Sequence, residues 1–334
     1  MTMETKPRLP VVLTIFILVV LLNVTATLAQ TPQGDVLFFC SGSPICLHWN
    51  DLASGKLLGR VATPVGIPFV NNQHAVVNSA SKMYHYFWNN DNQTSGRIFT
   101  YSYKDSSLPL LGSCGFDLEP FWYTMCAVID EQTNLVYMIT YTLASGPAQI
   151  RFTQINPQTC GQKVISQVEI PLDASGNFQH CVYSFNNQTK RGSVVFFNNK
   201  IVAHRATLRS IDTATGSLTT LTIFPYNIAF RSQIYLLAAT PLEEDSQAIY
   251  YWGYRSTNNS AYALSPSTAQ AFKLFDNGDF PGALVGYPPG LLSLNWATPS
   301  SLLSPTGKRL WLGPSGLEGA QNCAVIGGLV FSPR

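Results

Sequence analysis

Residues 210–218 read Ser-Ile-Asp-Thr-Ala-Thr-Gly-Ser-Leu. Asp212 can accept hydrogen bonds from backbone amides two residues on, and Gly216 can take the left-handed conformation that reverses a chain. The runs on either side, 205–211 (RATLRSI) and 217–224 (SLTTLTIF), are rich in β-branched residues. The stretch is therefore a tight turn between two antiparallel strands.

The same turn recurs. Asp51-Leu-Ala-Ser54-Gly55 is one copy, Lys104-Asp105-Ser106-Ser107 a weaker one, and Asn156-Pro-Gln-Thr159-Cys160-Gly161 a third. Asp212 begins the fourth and Ser265-Pro-Ser-Thr268 the fifth. Asp51, Asp105, Asn156, Asp212 and Ser265 step by 54, 51, 56 and 53 residues. Self-similarity at a period of about 50 residues marks a repeat architecture. A strand precedes each turn (ICLHW, RIFTYSY, IRFTQI, RATLRSI, AYAL) and another follows (KLLGRVA, LPLLG, KVISQVEI, SLTTLTIF, AFKLF).

Each unit carries two more strands upstream. The second is aromatic: 82–88 (KMYHYFW), 135–141 (LVYMITY), 193–197 (SVVFF), 248–254 (AIYYWGY) and 309–312 (RLWL). The first is smaller: HAVVN from His74, MCAVID from Met125, HCVYSF from His180, QIYLLAA from Gln233 and LLSLNWA from Leu291. No ten-residue segment has a helical period. Four-stranded antiparallel units that repeat radially make a β-propeller, in which every unit buries its sheet faces on its neighbours.

The turn Ser304-Pro-Thr-Gly-Lys-Arg-Leu-Trp311 resembles the SPDGKxLY hairpin of propeller repeats, with Thr306 in the usual acidic place. Asp130-Glu-Gln-Thr133-Asn134-Leu-Val-Tyr137 is a looser version. The resemblance marks the β-propeller superfold and no single family. It implies an all-β propeller, and counting the repeat units gives six blades, with five or seven as alternatives. The first unit lacks its innermost strand and the last has about three, so one blade is expected to be completed from both ends of the chain.

Lys6 and Arg8 precede the apolar run Val11–Leu22, and Thr27-Leu28-Ala29 follow. That order reads as a secretory signal peptide over residues 1–29, cleaved before Gln30, with the propeller over 30–334. The alternative is a type II membrane anchor. Sequons at Asn92, Asn187 and Asn258 agree with export and predict a glycoprotein. Charged residues are only 11% of the chain and the net charge is +2. Without a basic stripe, a nucleic-acid partner is not expected, nor a membrane once the signal is cleaved.

The mature chain holds seven cysteines, an odd number, so at least one thiol is free or bonded to another chain. Cys40, Cys46, Cys114, Cys160 and Cys323 are disulfide candidates. Cys40 and Cys46 flank one hairpin, and Cys323 is the alternative partner of Cys40 that would lock the ring. Cys126 and Cys181, at equivalent innermost-strand positions, read as buried free thiols.

The candidate chemistry is thin. His74 and His180 occupy matching positions at the start of innermost strands, at one mouth of the channel. Glu119 and Arg231 lie in loops entering that mouth. Two imidazoles there could hold a metal or act as acid and base, but the residues show no third ligand, and the cofactor is unknown. Ser79-Ala80-Ser81-Lys82 matches S-x-x-K, yet it sits on a turn where the acylating motif needs a helix. Cys114, in GSCG, reads as half of a disulfide. Tyr84, Tyr86, Trp88, Tyr137, Tyr250 and Trp252 read as packing between blades and not as a sugar platform.

Three functions fit. The first is a secreted glycoprotein that binds a small ligand or an extracellular protein and has no catalysis of its own. The second is a hydrolase, lactonase or metal-dependent enzyme with its site at His74, Glu119, His180 and Arg231. The third is a structural extracellular component.

Overall fold

The computed structural model describes residues 31–41, 44–63, 74–89, 95–117, 122–142, 149–169, 177–186, 189–200, 205–224, 235–241, 248–254, 260–265, 268–276, 283–287, 290–295, 298–304, 308–323 and 326–334. Among them there is no α-helix, one 3-10 turn at Ala320–Asn322, and six four-stranded antiparallel sheets.

Blade 1 runs β24 (Ile326–Pro333), β1 (Gly34–Cys40), β2 (Cys46–Asp51), β3 (Leu57–Ala62) from channel to rim. Blade 2 is β4 (His74–Asn78), β5 (Met83–Asn89), β6 (Ser95–Ser102), β7 (Leu110–Asp117). Blade 3 is β8 (Trp122–Asp130), β9 (Leu135–Thr142), β10 (Gln149–Ile155), β11 (Gln162–Glu169). Blade 4 is β12 (Asn177–Asn186), β13 (Arg191–Lys200), β14 (Arg205–Asp212), β15 (Leu218–Phe224). Blade 5 is β16 (Tyr235–Pro241), β17 (Ala248–Tyr254), β18 (Ser260–Ser265), β19 (Gln270–Asp276). Blade 6 is β20 (Ala283–Tyr287), β21 (Gly290–Leu294), β22 (Ser301–Leu303), β23 (Arg309–Leu312).

The first strand of each blade packs on the first strand of the next, in the order β24, β4, β8, β12, β16, β20 and back to β24. The ring is thus closed, and the closing blade takes β24 from the C-terminal end and β1–β3 from the N-terminal end, as expected.

All five predicted turns join a third strand to a fourth. In the fourth blade the Asp212 carboxylate accepts from the amides of Ala214 and Thr215 at 3.0 and 2.8 Å, and the Gly216 amide donates to the Asp212 carbonyl at 2.8 Å. Asp51 accepts from the Ser54 amide at 2.8 Å and Asn156 from the Gln158 amide at 2.9 Å. The residue that takes positive φ is Gly55, Leu108, Cys160, Gly216 or Ala269. In the third blade it is Cys160, held by its disulfide, and not Gly161.

Blade 6 corrects the sequence reading by one strand. Leu291 lies on the second strand, β21, and 309–312 form the outermost strand. The innermost strand is β20, which precedes the Leu291 run in the chain. Ser304 therefore starts a sixth copy of the third-to-fourth turn: its amide donates to the Lys308 carbonyl at 2.8 Å, and its hydroxyl accepts from the Lys308 amide at 3.0 Å.

Every outermost strand also carries a β-bulge. The extra residue is Leu58, Leu111, Ile165, Leu221, Leu274 or Leu310. A bulge twists an edge strand away from further pairing, which matters because each blade ends in an open edge. The extra side chain has two fates. Ile165 and Leu310 pack onto interblade cores, whereas Leu111 stands 58% exposed.

The cores lie between blades. Leu37, Phe39 and Leu47 of blade 1 meet Tyr84, Tyr86, Tyr101 and Tyr103 of blade 2. Val76, Phe87, Ile98 and Phe116 of blade 2 meet Ile129, Val136 and Met138 of blade 3. Cys126, Val128, Tyr137 and Phe152 of blade 3 meet Val194, Phe196 and Ile211 of blade 4. Val36 and Phe38 of blade 1 meet Leu292, Leu294 and Leu302 of blade 6. Alternate residues of one strand thus serve opposite neighbours, as period-two side chains require.

Candidate functional site

The innermost strands all start at the channel mouth and end at the opposite face, where the hairpins and the Asp212-type turns cluster. His74 is the first residue of β4, at the mouth, with Phe87 as its cross-strand partner. Burial lowers its pKa to about 4, so at neutral pH it is an uncharged imidazole. His180 is the fourth residue of β12 and not its first.

The two histidines are not equivalent. Counted back from the hairpin residues Asn78 and Asn186, which pair with Met83 and Arg191, His74 lies four residues before and His180 six. The difference is one of strand length, since β12 runs on two residues further from its histidine to its hairpin than β4 does, and His180 itself sits in a bulge, where Phe178 faces Asn198 while Cys181 already faces Phe196. β8 has a bulge of its own at Met125, between Thr124 and Cys126. Sequence spacing is blind to such insertions. Glu119, Arg231 and Gln233 lie outside the described residues, as do the sequon asparagines Asn92, Asn187 and Asn258. Among the described residues no group of three or more His, Cys, Asp or Glu is placed to hold a metal ion.

The opposite face is better populated. Asp35 on β1 is 2% exposed. Its carboxylate meets the Arg334 guanidinium at 2.6 Å and the Lys82 ammonium at 3.6 Å, and Arg334 also reaches Asp51 at 3.0 Å. Lys82 lies 5.3 Å from the ring centre of Tyr103. This network joins β24, blade 1 and the first hairpin of blade 2 at the point of ring closure. The Arg334 contact and the Ser54 hydrogen bonds offset burial and hold the Asp51 pKa below the usual carboxylate value. No sequence signal singles out Asp35, which sits in an unremarked GDVLFF run.

Two tyrosines complete the seam. The Tyr84 hydroxyl donates to the Gly328 carbonyl at 2.8 Å, and Tyr103 bonds Ser332 at 2.7 Å. Gly328 has φ 61, and a Cβ on it would stand 2.4 Å from the Tyr84 oxygen. β24 is bulged here, since Leu37 faces Val330 while Phe39 faces Gly327, and the Gly327-Gly328 pair inside the strand is the sequence signal for it.

Other motifs resolve into structure. Ser79 of the S-x-x-K match caps a hairpin: its amide and hydroxyl donate to Glu131 of blade 3 at 3.1 and 3.2 Å. Asn78 donates to the Asn134 side chain at 2.9 Å. Tyr84, Tyr86 and Tyr137 are buried between blades, and Trp88 packs on the cluster between blades 1 and 2. The side chains of Tyr250 and Trp252 lie outside the described set. His48 is 2% exposed with its ring centre 5.1 Å from that of Phe38 at a tilt of 32°, and burial followed by nearby Arg60 lowers its pKa to about 4. His85 is fully buried beside the Thr100 hydroxyl at 3.0 Å, and burial likewise lowers it to about 4.

Six cysteines pair: Cys40 with Cys323, Cys114 with Cys160, and Cys126 with Cys181. The last pair corrects the reading of Cys126 and Cys181 as free thiols. Cys46 is the free thiol, 3% exposed, and its sulfur donates to the Pro44 carbonyl at 3.4 Å. The hairpin pair Cys40–Cys46 is therefore not formed.

No protein-family model matches the chain, and no curated protein matches its sequence. Solved structures match its fold. A chain of a nidogen/laminin complex aligns with TM-score 0.53 and 12% identity over 90% of this chain and 98% of that one. TolB from Acinetobacter baumannii gives 0.52 and 12% over 90% and 67%. The periplasmic gluconolactonase PpgL of Pseudomonas aeruginosa gives 0.50 and 12% over 90% and 99%. At such identity the likeness extends to the fold alone. The chain is an all-β propeller, and its function has to be argued from its own residues.

Proposed function

We propose that this chain is an exported glycoprotein that binds a ligand or an extracellular partner and performs no catalysis of its own. The observation that carries the reading is where the covalent links fall. Cys114–Cys160 crosses from blade 2 to blade 3, Cys126–Cys181 from blade 3 to blade 4, and Cys40–Cys323 ties the connection from blade 6 to blade 1. Such a framework forms in oxidising compartments. It also fixes blade against blade, and that rigidity lowers the ordering cost of binding. Among the described residues no helix is long and apolar enough to cross a membrane. The signal-like residues 1–29 and the three sequons support the same compartment.

The sequons also favour a division of faces. Asn92 falls in the chain between the second and third strands of blade 2, and Asn258 between those of blade 5, so their glycans flank the mouth where His74 lies. The mouth then suits a small or narrow ligand, and a protein partner uses the opposite face or the side.

A second reading is an enzyme at the mouth, using His74, His180, Glu119 and Arg231. The place of His74 at the start of β4, at the mouth, favours it, because an imidazole there can meet a ligand entering the channel. One experiment separates the two. The secreted protein is screened for binding against glycans, lactones and matrix proteins, and for turnover of lactones and esters. The proposal predicts saturable binding with no turnover, and small-ligand binding unchanged in Asn92→Gln/Asn258→Gln. Turnover abolished by His74→Ala would establish the enzyme instead.

A further inference from the structure

We propose that the ring-closing disulfide can be handed over within blade 1, from Cys323 to Cys46, so that the covalent closure of the ring is released without any oxidant or reductant. Three cysteines meet here. Cys40 ends β1 and Cys46 begins β2, and they are Cα partners in the antiparallel ladder. Residues directly opposite on such a ladder point to the same sheet face, with Cβ atoms about 4.5–5.5 Å apart. A disulfide needs roughly 3.5–4.5 Å between Cβ atoms. Cys40 is already bonded to Cys323, whose Cα lies 5.1 Å away. A free thiol is thus placed beside an existing disulfide on the same face of the same sheet.

The exchange balances. The Cys46 thiolate attacks Sγ of Cys40. A Cys40–Cys46 bond forms, the Cys40–Cys323 bond breaks, and Cys323 leaves as the thiolate that takes up the proton Cys46 has lost. The burial of Cys46 shields the thiol from outside reagents, so a neighbouring disulfide is what it can reach.

The two isomers differ in what they hold. Cys40–Cys323 links residues 283 apart and ties β1 to the connection that delivers β24. Cys40–Cys46 would clip only the hairpin between β1 and β2. Closure would then rest on the β24–β1 ladder, the Arg334–Asp35 pair and the Tyr84–Gly328 hydrogen bond. The freed Cys323 sits in a partly exposed segment, open to an external thiol or disulfide. The pairing of β1 with β2 needs no change of register for this, since Cys40 and Cys46 are already Cα partners.

The test follows thiol location in the folded, secreted protein. Native protein is held at about pH 8.5, because the thiolate and not the thiol is the attacking form. Samples are acid-quenched over time, alkylated under denaturing conditions and mapped by mass spectrometry without reduction. The proposal predicts label on Cys46 at first, then label rising on Cys323 as a Cys40–Cys46 linked peptide appears. In Cys46→Ser, Cys323 labelling stays at background and Cys40–Cys323 persists. Cys46→Ala serves if the serine is not accommodated. Label confined to Cys46 at all times, in protein that does shuffle once unfolded in guanidinium, would overturn the proposal. Cys323 labelling that also rises in Cys46→Ser would overturn it too.

Discussion

Cys126 and Cys181 bond because they are one position out of step. Counted along the partner strands, Cys126 lies four pairs from its hairpin (Leu135 to Ile139) and Cys181 five (Arg191 to Phe196). Side chains alternate faces along a strand, so residues in step would point the same way around the ring and never meet. The offset turns one sulfur clockwise and the other back to meet it. We expect Cys126→Ala/Cys181→Ala to keep the propeller and lose about 2–4 kcal/mol in chemical denaturation. A loss indistinguishable from zero would mean the bond does not form.

Gly216→Val should destabilise. Gly216 has φ 70, and a Cβ there would lie 2.5 Å from the Ser166 side chain of blade 3. The left-handed conformation alone costs a residue with a Cβ roughly 1–2 kcal/mol, and the contact adds to it. A thermal melt checks this, and an unchanged Tm would contradict the turn geometry.

Ring closure should depend on one small residue. Gly328→Ala forces a side chain against the Tyr84 hydroxyl and also strains φ. Tyr84→Phe removes only the hydrogen bond, at a cost of about 1 kcal/mol. Alanine at 328 is therefore expected to cost more than phenylalanine at 84, and the double variant less than the sum of the two. Strict additivity would show that the two residues do not touch.

Stability should fall on mild acidification. His48 and His85 are buried and lowered to about 4, against an ordinary imidazole value of 6.5. As pH drops from about 6.5 towards 4, the unfolded chain takes up protons that the folded chain refuses, so unfolding gains. For His48 alone the full effect is on the order of 3 kcal/mol. The lowered carboxylates of Asp51 and Asp212 act in a separate window, below about pH 4, where their protonation removes stability. Urea midpoints measured from pH 7.5 to 4 should decline, and His48→Gln should flatten part of that decline. A level profile would mean that the imidazoles are reached by water.

How far the sequence went is clear in particular residues. Asp51, Asp105, Asn156, Asp212 and Ser265 announced their turns because the turn chemistry is local. Ser304 was misplaced because blade 6 is short, so its turn comes only 39 residues after Ser265. The equivalence of His74 and His180 failed because β12 runs two residues further to its hairpin than β4 does, a difference in strand length that the shared His-x-Val start does not show. Disulfide pairing depends on which residues face each other across blades, and no local pattern encodes that. Asp35 was silent because its partners, Lys82 and Arg334, lie far along the chain.

The central claim is an exported propeller stapled across its blade boundaries. Its most direct test is a non-reducing peptide map of acid-quenched protein collected from the medium of expressing cells. The account predicts chains that begin near Gln30, with Cys114 linked to Cys160 and Cys126 linked to Cys181 in every molecule, and Cys40 linked to Cys323 at collection. Chains that retain Met1–Ala29, or that carry Cys114, Cys126, Cys160 and Cys181 as thiols, would contradict it.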